Sequence, residues 1–78
     1  MKTAARELFA KRVQELREER GWSQDDLVKA ARLSPAYIGA VERAEQSIGL
    51  DEMEKIANAL KVPIFELLQN SSAGRVTH

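Results

Sequence analysis

Apolar positions recur every three to four residues through most of this 78-residue chain, and polar interruptions mark where one run ends and the next begins. Ala5, Leu8, Phe9, Val13 and Leu16 trace one face of a first helix over residues 3–20, with charge on the opposite side. Lys11, Glu15 and Glu19, each four residues from the next, belong to that solvated side. Gly21 is placed to close the helix in a left-handed cap, and Trp22 follows as a bulky plug between two helices. Leu27 and Ala31 give the next helix an inward face, and Ile38 and Val41 do the same for the one after it. Leu50, Met53, Ile56, Ala57 and Leu60 trace a fourth amphipathic helix, which Lys61-Val62-Pro63 breaks. Residues 64–68, IFELL, predict a short fifth helix that is apolar nearly all round apart from Glu66. A helix so short cannot bury every side of itself in a small domain, so part of its surface should meet a partner. The pattern predicts an all-α, compact five-helix fold over residues 1–69, and a disordered polar tail over residues 70–78.

The residues between the inward positions sharpen the middle of the chain. Ser23 is a good N-cap, with Asp25 and Asp26 in the positively poled first turn behind it. Ser34 followed by Pro35 restarts a helix, Ser at the cap and Pro at the first position, where a missing N–H costs nothing. Two capped helices separated by a tight turn over residues 23–43 match a helix-turn-helix, whose second helix enters the major groove of DNA.

Charge pulls mildly the other way. Twelve basic residues balance twelve acidic ones, whereas a nucleic-acid binder usually carries a basic surplus. The balance is uneven along the chain: residues 1–22 hold six basic against four acidic side chains, and residues 50–78 hold three against four. A basic face is therefore available, but non-specific DNA affinity should be modest. Hydrophobic content of 44% and charged content of 31% are ordinary for a globular domain, and 78 residues lie near the lower limit for folding alone, which favours dimerisation. The chain has no cysteine, which fits a reducing cytoplasm and excludes a disulfide framework or a thiolate zinc site. No apolar run approaches a membrane span of roughly 20 residues, and no signal-peptide core opens the sequence.

Catalytic chemistry finds no foothold. The single histidine is His78 at the very end, and adjacent Asp25 and Asp26 diverge on a helix rather than forming a carboxylate pair. No Gly-rich phosphate loop, HExxH pattern or calcium loop occurs, so no enzyme, cofactor, metal or small-molecule ligand is expected.

Over about residues 6–69 the chain resembles the Cro/repressor-type (XRE) helix-turn-helix family. The resemblance rests on the order of RxxELREERGWSQDDL (Arg12 to Leu27), then LSPAYIGAVER, then LDEMEKIANALKV (Leu50 to Val62). The YIGAVER and SIGLDEMEKIANAL segments look most like the small single-domain restriction–modification controllers. The resemblance implies a five-helix DNA-binding domain acting as a homodimer in transcription regulation, most often by occluding a promoter. By the same resemblance Gln24 would bond a phosphate and brace the next helix, and Ser34 would keep the phosphate-contacting framework. Pro35, Ala36, Tyr37 and Ala40 would face outward from the recognition helix. Arg43 and the loop carrying Glu45, Gln46 and Ser47 would lie along the DNA backbone. Arg17 and Glu42 would form a partly buried, architectural ion pair.

Against the family pattern, Val28 stands where Ala is preferred, and Arg32 and Ala44 stand where Gly is preferred. At left-handed positions those two residues cost about 1 kcal/mol each. Pro35, Ala36 and Ala40 offer no side-chain hydrogen bond to a base edge, so specificity is expected to lean on thymine-methyl contact, Tyr37, Arg43 and DNA shape. A two-fold dimer would place recognition helices about 34 Å apart on a near-palindromic operator. The surface expected to join the copies is the end of the fourth helix with Ile64, Leu67 and Leu68. Two other functions fit the same residues. One is an antitoxin-type repressor with a protein partner, and the other a protein-interaction module that has lost DNA binding.

Overall fold

A computed structural model describes residues 3–69; residues 70–78, expected to form a tail, lie outside the described part. Four α-helices and a terminal 3-10 helix follow in the order the periodicity predicts. Helix α1 spans Ala4–Glu19, capped by Thr3, whose hydroxyl accepts the Arg6 N–H at 3.1 Å. It closes on Gly21 at φ 69°, with Trp22 N–H donating to the Arg17 carbonyl and Gly21 N–H to that of Glu18, both at 3.0 Å. That paired closure is a Schellman turn, and it satisfies carbonyls the helix itself leaves unpaired. Helices α2 (Gln24–Ala31) and α3 (Pro35–Glu42) form the short pair, and α4 (Leu50–Leu60) follows a seven-residue connection.

Left-handed backbone ends the other helices too, without glycine. Arg32 (φ 60°) and Ala44 (φ 62°) take the conformation that the family comparison of residue types implied, and Lys61 (φ 60°) adds a third instance. Ala44 N–H reaches the Val41 carbonyl at 3.0 Å and Glu45 N–H that of Ala40 at 2.9 Å, the same closure as at Gly21. The hydrogen bonds gained there offset the strain of roughly 1–2 kcal/mol that an L-residue carries at positive φ.

The core is drawn from every element. Phe9, Val13 and Leu16 meet Leu27, Ala31, Ile38, Val41, Ile56, Ala57, Leu60 and Leu67, with Trp22 half-buried against them. Three expectations about inward faces need correction. Ala5 is exposed and Leu8 only half-buried, because α1 begins before it reaches the core, and Ala10 is the buried residue there instead. Leu50 is 74% exposed: it opens α4 beyond the edge of the packed layer.

The third correction concerns Ile64–Leu68, which winds as a 3-10 helix rather than an α-helix. At three residues per turn, positions three apart eclipse. Ile64 and Leu67 consequently share the inward side, with Leu67 fully buried, while Phe65 (58%) and Leu68 (47%) stay exposed. Leu67 is thus a core residue with no surface to offer a second copy, and a charge there would break the fold. Arg12, on the flank expected to be solvated, reaches across to this element. Its Nε donates to the Glu66 carbonyl and its Nη2 to the Glu66 carboxylate, both at 2.9 Å, and its Nη1 lies 3.3 Å from Glu15. Arg20 ties the other end of α1 to the Leu60 carbonyl at the close of α4. Among the described residues no helix is long and apolar enough to cross a membrane.

Candidate nucleic-acid interface

Each helix of the central pair is started by a serine. Ser23 Oγ accepts the Asp26 N–H at 3.1 Å and Asp26 Oδ2 accepts the Ser23 N–H at 2.9 Å, a reciprocal capping box. Asp25 pairs instead with exposed Lys29 at 3.3 Å along the helix surface. Ser34 Oγ accepts the Tyr37 N–H at 3.0 Å, and Pro35 occupies the first turn behind it. These caps fix where α3 begins, and the core residues Ile38 and Val41 fix which way it faces.

One carboxylate locks the pair in place. Glu42, 6% exposed, takes Arg17 Nε on Oε2 at 2.8 Å and Arg17 Nη2 on Oε1 at 3.1 Å. The Gln24 amide also donates to Oε1, at 3.0 Å, while Arg17 Nη1 donates to the Trp22 carbonyl at 2.8 Å. Gln14 Nε2 completes the arrangement by donating to the Glu42 main-chain carbonyl at 2.7 Å. The forked bond to Glu42 chiefly, outweighing the effect of burial, raises the Arg17 pKa and keeps the guanidinium charged. The ion pair that the resemblance implied is present, the Gln24 arm bears on Glu42 itself, and the Gln14 arm is one the sequence did not disclose. α1, the start of α2 and the end of α3 all converge on Glu42.

This geometry sorts the residues expected at the interface. Ser34, Pro35, Ala36, Arg43 and Ser47 are exposed, Tyr37, Ala40 and Gln46 half-buried. Gln24 is exposed overall but spends its amide N–H on Glu42, so bracing is the role its bonds display. Gln46 Nε2 turns back to the Ser47 carbonyl at 2.9 Å. Burial, helped by the nearby Glu52 carboxylate, pushes the Tyr37 hydroxyl above its usual pKa and keeps it a neutral donor. Arg43 Nε lies 2.9 Å from Glu45 on the exposed flank of α3. Gly39 was not singled out by sequence, yet it is buried in α3 beneath the Arg43 and Gln24 side-chain ends. No group of three or more His, Cys, Asp or Glu side chains that could hold a metal occurs among the described residues.

Two short capped helices, the second pinned by a buried carboxylate with its first turn exposed, define a helix-turn-helix protein. A helix-turn-helix family model matches residues 13–67, and the chain belongs to that family. It is 38% identical over 63 residues to a hypothetical transcription factor of Neisseria meningitidis serogroup B, covering 81% of this chain and 59% of that one. The chain therefore spans about three fifths of that longer relative. The crystal structure of the Neisseria factor superposes with a TM-score of 0.83 at 35% identity, over 87% of this chain and 78% of that chain. Control protein C.BamHI of Bacillus amyloliquefaciens is 34% identical over 68 residues, 86% of this chain and 84% of that protein. The restriction-modification controller C.Esp1396I, as a tetramer in complex with its natural 35 base-pair operator, superposes with a TM-score of 0.79 at 26% identity, over 86% and 92% of the two chains. Relatives of this chain are thus transcription factors and restriction-modification controllers.

Proposed function

We propose that residues 1–69 bind double-stranded DNA sequence-specifically and regulate transcription as a homodimer on a near-palindromic operator. The observation that carries this is the three-bond clamp on Glu42, which fixes the end of α3 to α1 and α2, the kind of bracing a recognition helix needs. The operator-bound assembly of C.Esp1396I supports the choice of DNA as ligand. Ser34, Pro35, Ala36, Tyr37 and Ala40 face the groove with the Arg43 guanidinium beside them, Gln46 and Ser47 flank it, and Gln24 braces the end of the helix through Glu42. The contact between copies runs over Phe65 and Leu68, the exposed apolar pair of the 3-10 helix, with Ile64 at its edge and without Leu67. A protein of zero net charge has little long-range attraction for the duplex, so its non-specific affinity should be modest.

The test is selection of bound duplexes from a random pool at two salt concentrations, with Ala36→Glu as control. Ala36 is exposed on the first turn of α3, so the added carboxylate repels DNA and leaves the core alone. Enrichment of a palindrome that disappears in Ala36→Glu is the expected result. Light scattering should show a dimer that Phe65→Ser with Leu68→Ser converts to a folded monomer. Failure of the native protein to select any duplex at either salt would overturn the proposal and favour a protein-interaction module.

A further inference from the structure

We infer that Arg43, seated over Gly39, is the side chain that reads a guanine in each half-site; this rests on the DNA-binding reading above. Glycine is among the poorest helix formers, and it stands here inside an eight-residue helix, with no positive φ to call for it. What a side chain at 39 would disturb is specific. A Cβ there would sit 3.0 Å from Arg43 Nη1, 3.9 Å from Arg43 Cζ and 3.9 Å from Gln24 Oε1. Its nearest neighbours are therefore ends of polar side chains rather than core atoms, so the glycine makes room for the guanidinium.

Side chains on a helix lean toward its N-terminus, and Arg43 follows that rule from the C-cap. Lying against Gly39, its guanidinium is carried back by four residues, roughly 6 Å along the axis at the α-helical rise. That brings it to the middle of α3, beside the surface formed by Ala36 and Ala40. Those residues and Pro35 have no donor or acceptor in their side chains, and their small size lets the helix approach the base edges closely. The longest donor on this surface is then Arg43. Glu45 holds it by Nε alone, at 2.9 Å, which leaves both Nη groups for a ligand. Two parallel N–H groups match the O6 and N7 acceptors of guanine in the major groove.

The experiment measures binding of the native protein, Gly39→Ala and Arg43→Ala to the selected operator and to duplexes carrying every single base-pair replacement. The native protein should prefer G·C at one position per half-site by roughly 5- to 150-fold, the range of a good bidentate contact. Arg43→Ala should flatten that position and leave the others unchanged. Gly39→Ala should reduce that preference, by less than Arg43→Ala does, because the guanidinium must give way by a few tenths of an ångström, while its melting temperature stays level or rises, since alanine is the better helix former. A merely structural glycine would show the reverse: lower melting temperature and unaltered base preference. Uniform weakening of all duplexes by Arg43→Ala, with the salt slope reduced by about one, would make Arg43 a phosphate contact and overturn the inference. Full retention of the G·C preference by Gly39→Ala would overturn it as well. If the native protein selects no operator, the DNA-binding reading itself falls; if it selects one and these positions stay sharp, only the guanine assignment does.

Discussion

The two ends of this domain are held together by different physics. Around Glu42, four directional bonds from Arg17, Gln24 and Gln14 fix the angle at which α3 meets α1 and α2. Around the 3-10 helix, the attachment is Leu67 in the core with Ile64 packed beside it, and one arginine, Arg12, on the rim. Hydrogen bonds specify geometry, whereas apolar burial tolerates small shifts of position at nearly constant free energy. A surface that must match a rigid duplex needs the first kind of support. A surface that joins copies can be served by the second.

The largest effect should come from Glu42→Ala. It leaves the Arg17 guanidinium with its principal partner gone and most of its surface buried, a loss of about 3–5 kcal/mol, measurable as a fall in the urea midpoint. That is a large share of the stability of a domain this size. Next, neighbouring leucines should separate cleanly. Leu67→Ala empties a filled core site and should cost about 2–5 kcal/mol. Leu68→Ala should change the stability of the monomer by less than about 0.5 kcal/mol and show itself in dimer mass instead. Arg12→Met keeps the aliphatic stem but removes the charged bonds to Glu66, and should cost about 1.5–3 kcal/mol. Hydrogen exchange should then rise in residues 64–68 while α2 and α3 stay protected. The smallest effect is alkaline. Because burial, and then Glu52, raise the Tyr37 pKa on folding, the neutral hydroxyl contributes stability that is present below its unfolded value and lost as pH climbs through the folded one. Denaturant midpoints of Tyr37→Phe should lack that alkaline decline.

Local chemistry was readable in advance and distant chemistry was not. Ser23, Ser34-Pro35 and Gly21 mark helix ends because a cap is decided within four residues of chain. Arg17 and Glu42, 25 residues apart, were reached through resemblance, since no periodicity couples two separate helices. The Arg12–Glu66 brace, 54 residues apart, matched no pattern at all. Leu50 and Leu67 show the converse failure. Both are leucines at plausible spacing, but exposure depends on whether another element lies opposite, and that is a property of the assembled layer. Five apolar-rich residues in IFELL looked alike in any orientation until the 3-10 pitch put 64 and 67 inward and 65 and 68 outward. At the candidate interface, the exposed first turn of α3 was legible, whereas the space left by Gly39 became visible only once Arg43 was seen lying over it.

The joints at Arg32, Ala44 and Lys61 also bear on how this molecule can be remade. A glycine at any of them relieves roughly 1–2 kcal/mol of strain but gives back about 0.5–1 kcal/mol by loosening the unfolded chain. A residue of mirror-image chirality has no such conflict, because positive φ is its ordinary territory. For a 78-residue chain assembled by peptide synthesis, D-alanine at position 44 would retain the Val41 and Ala40 closures and keep the whole gain.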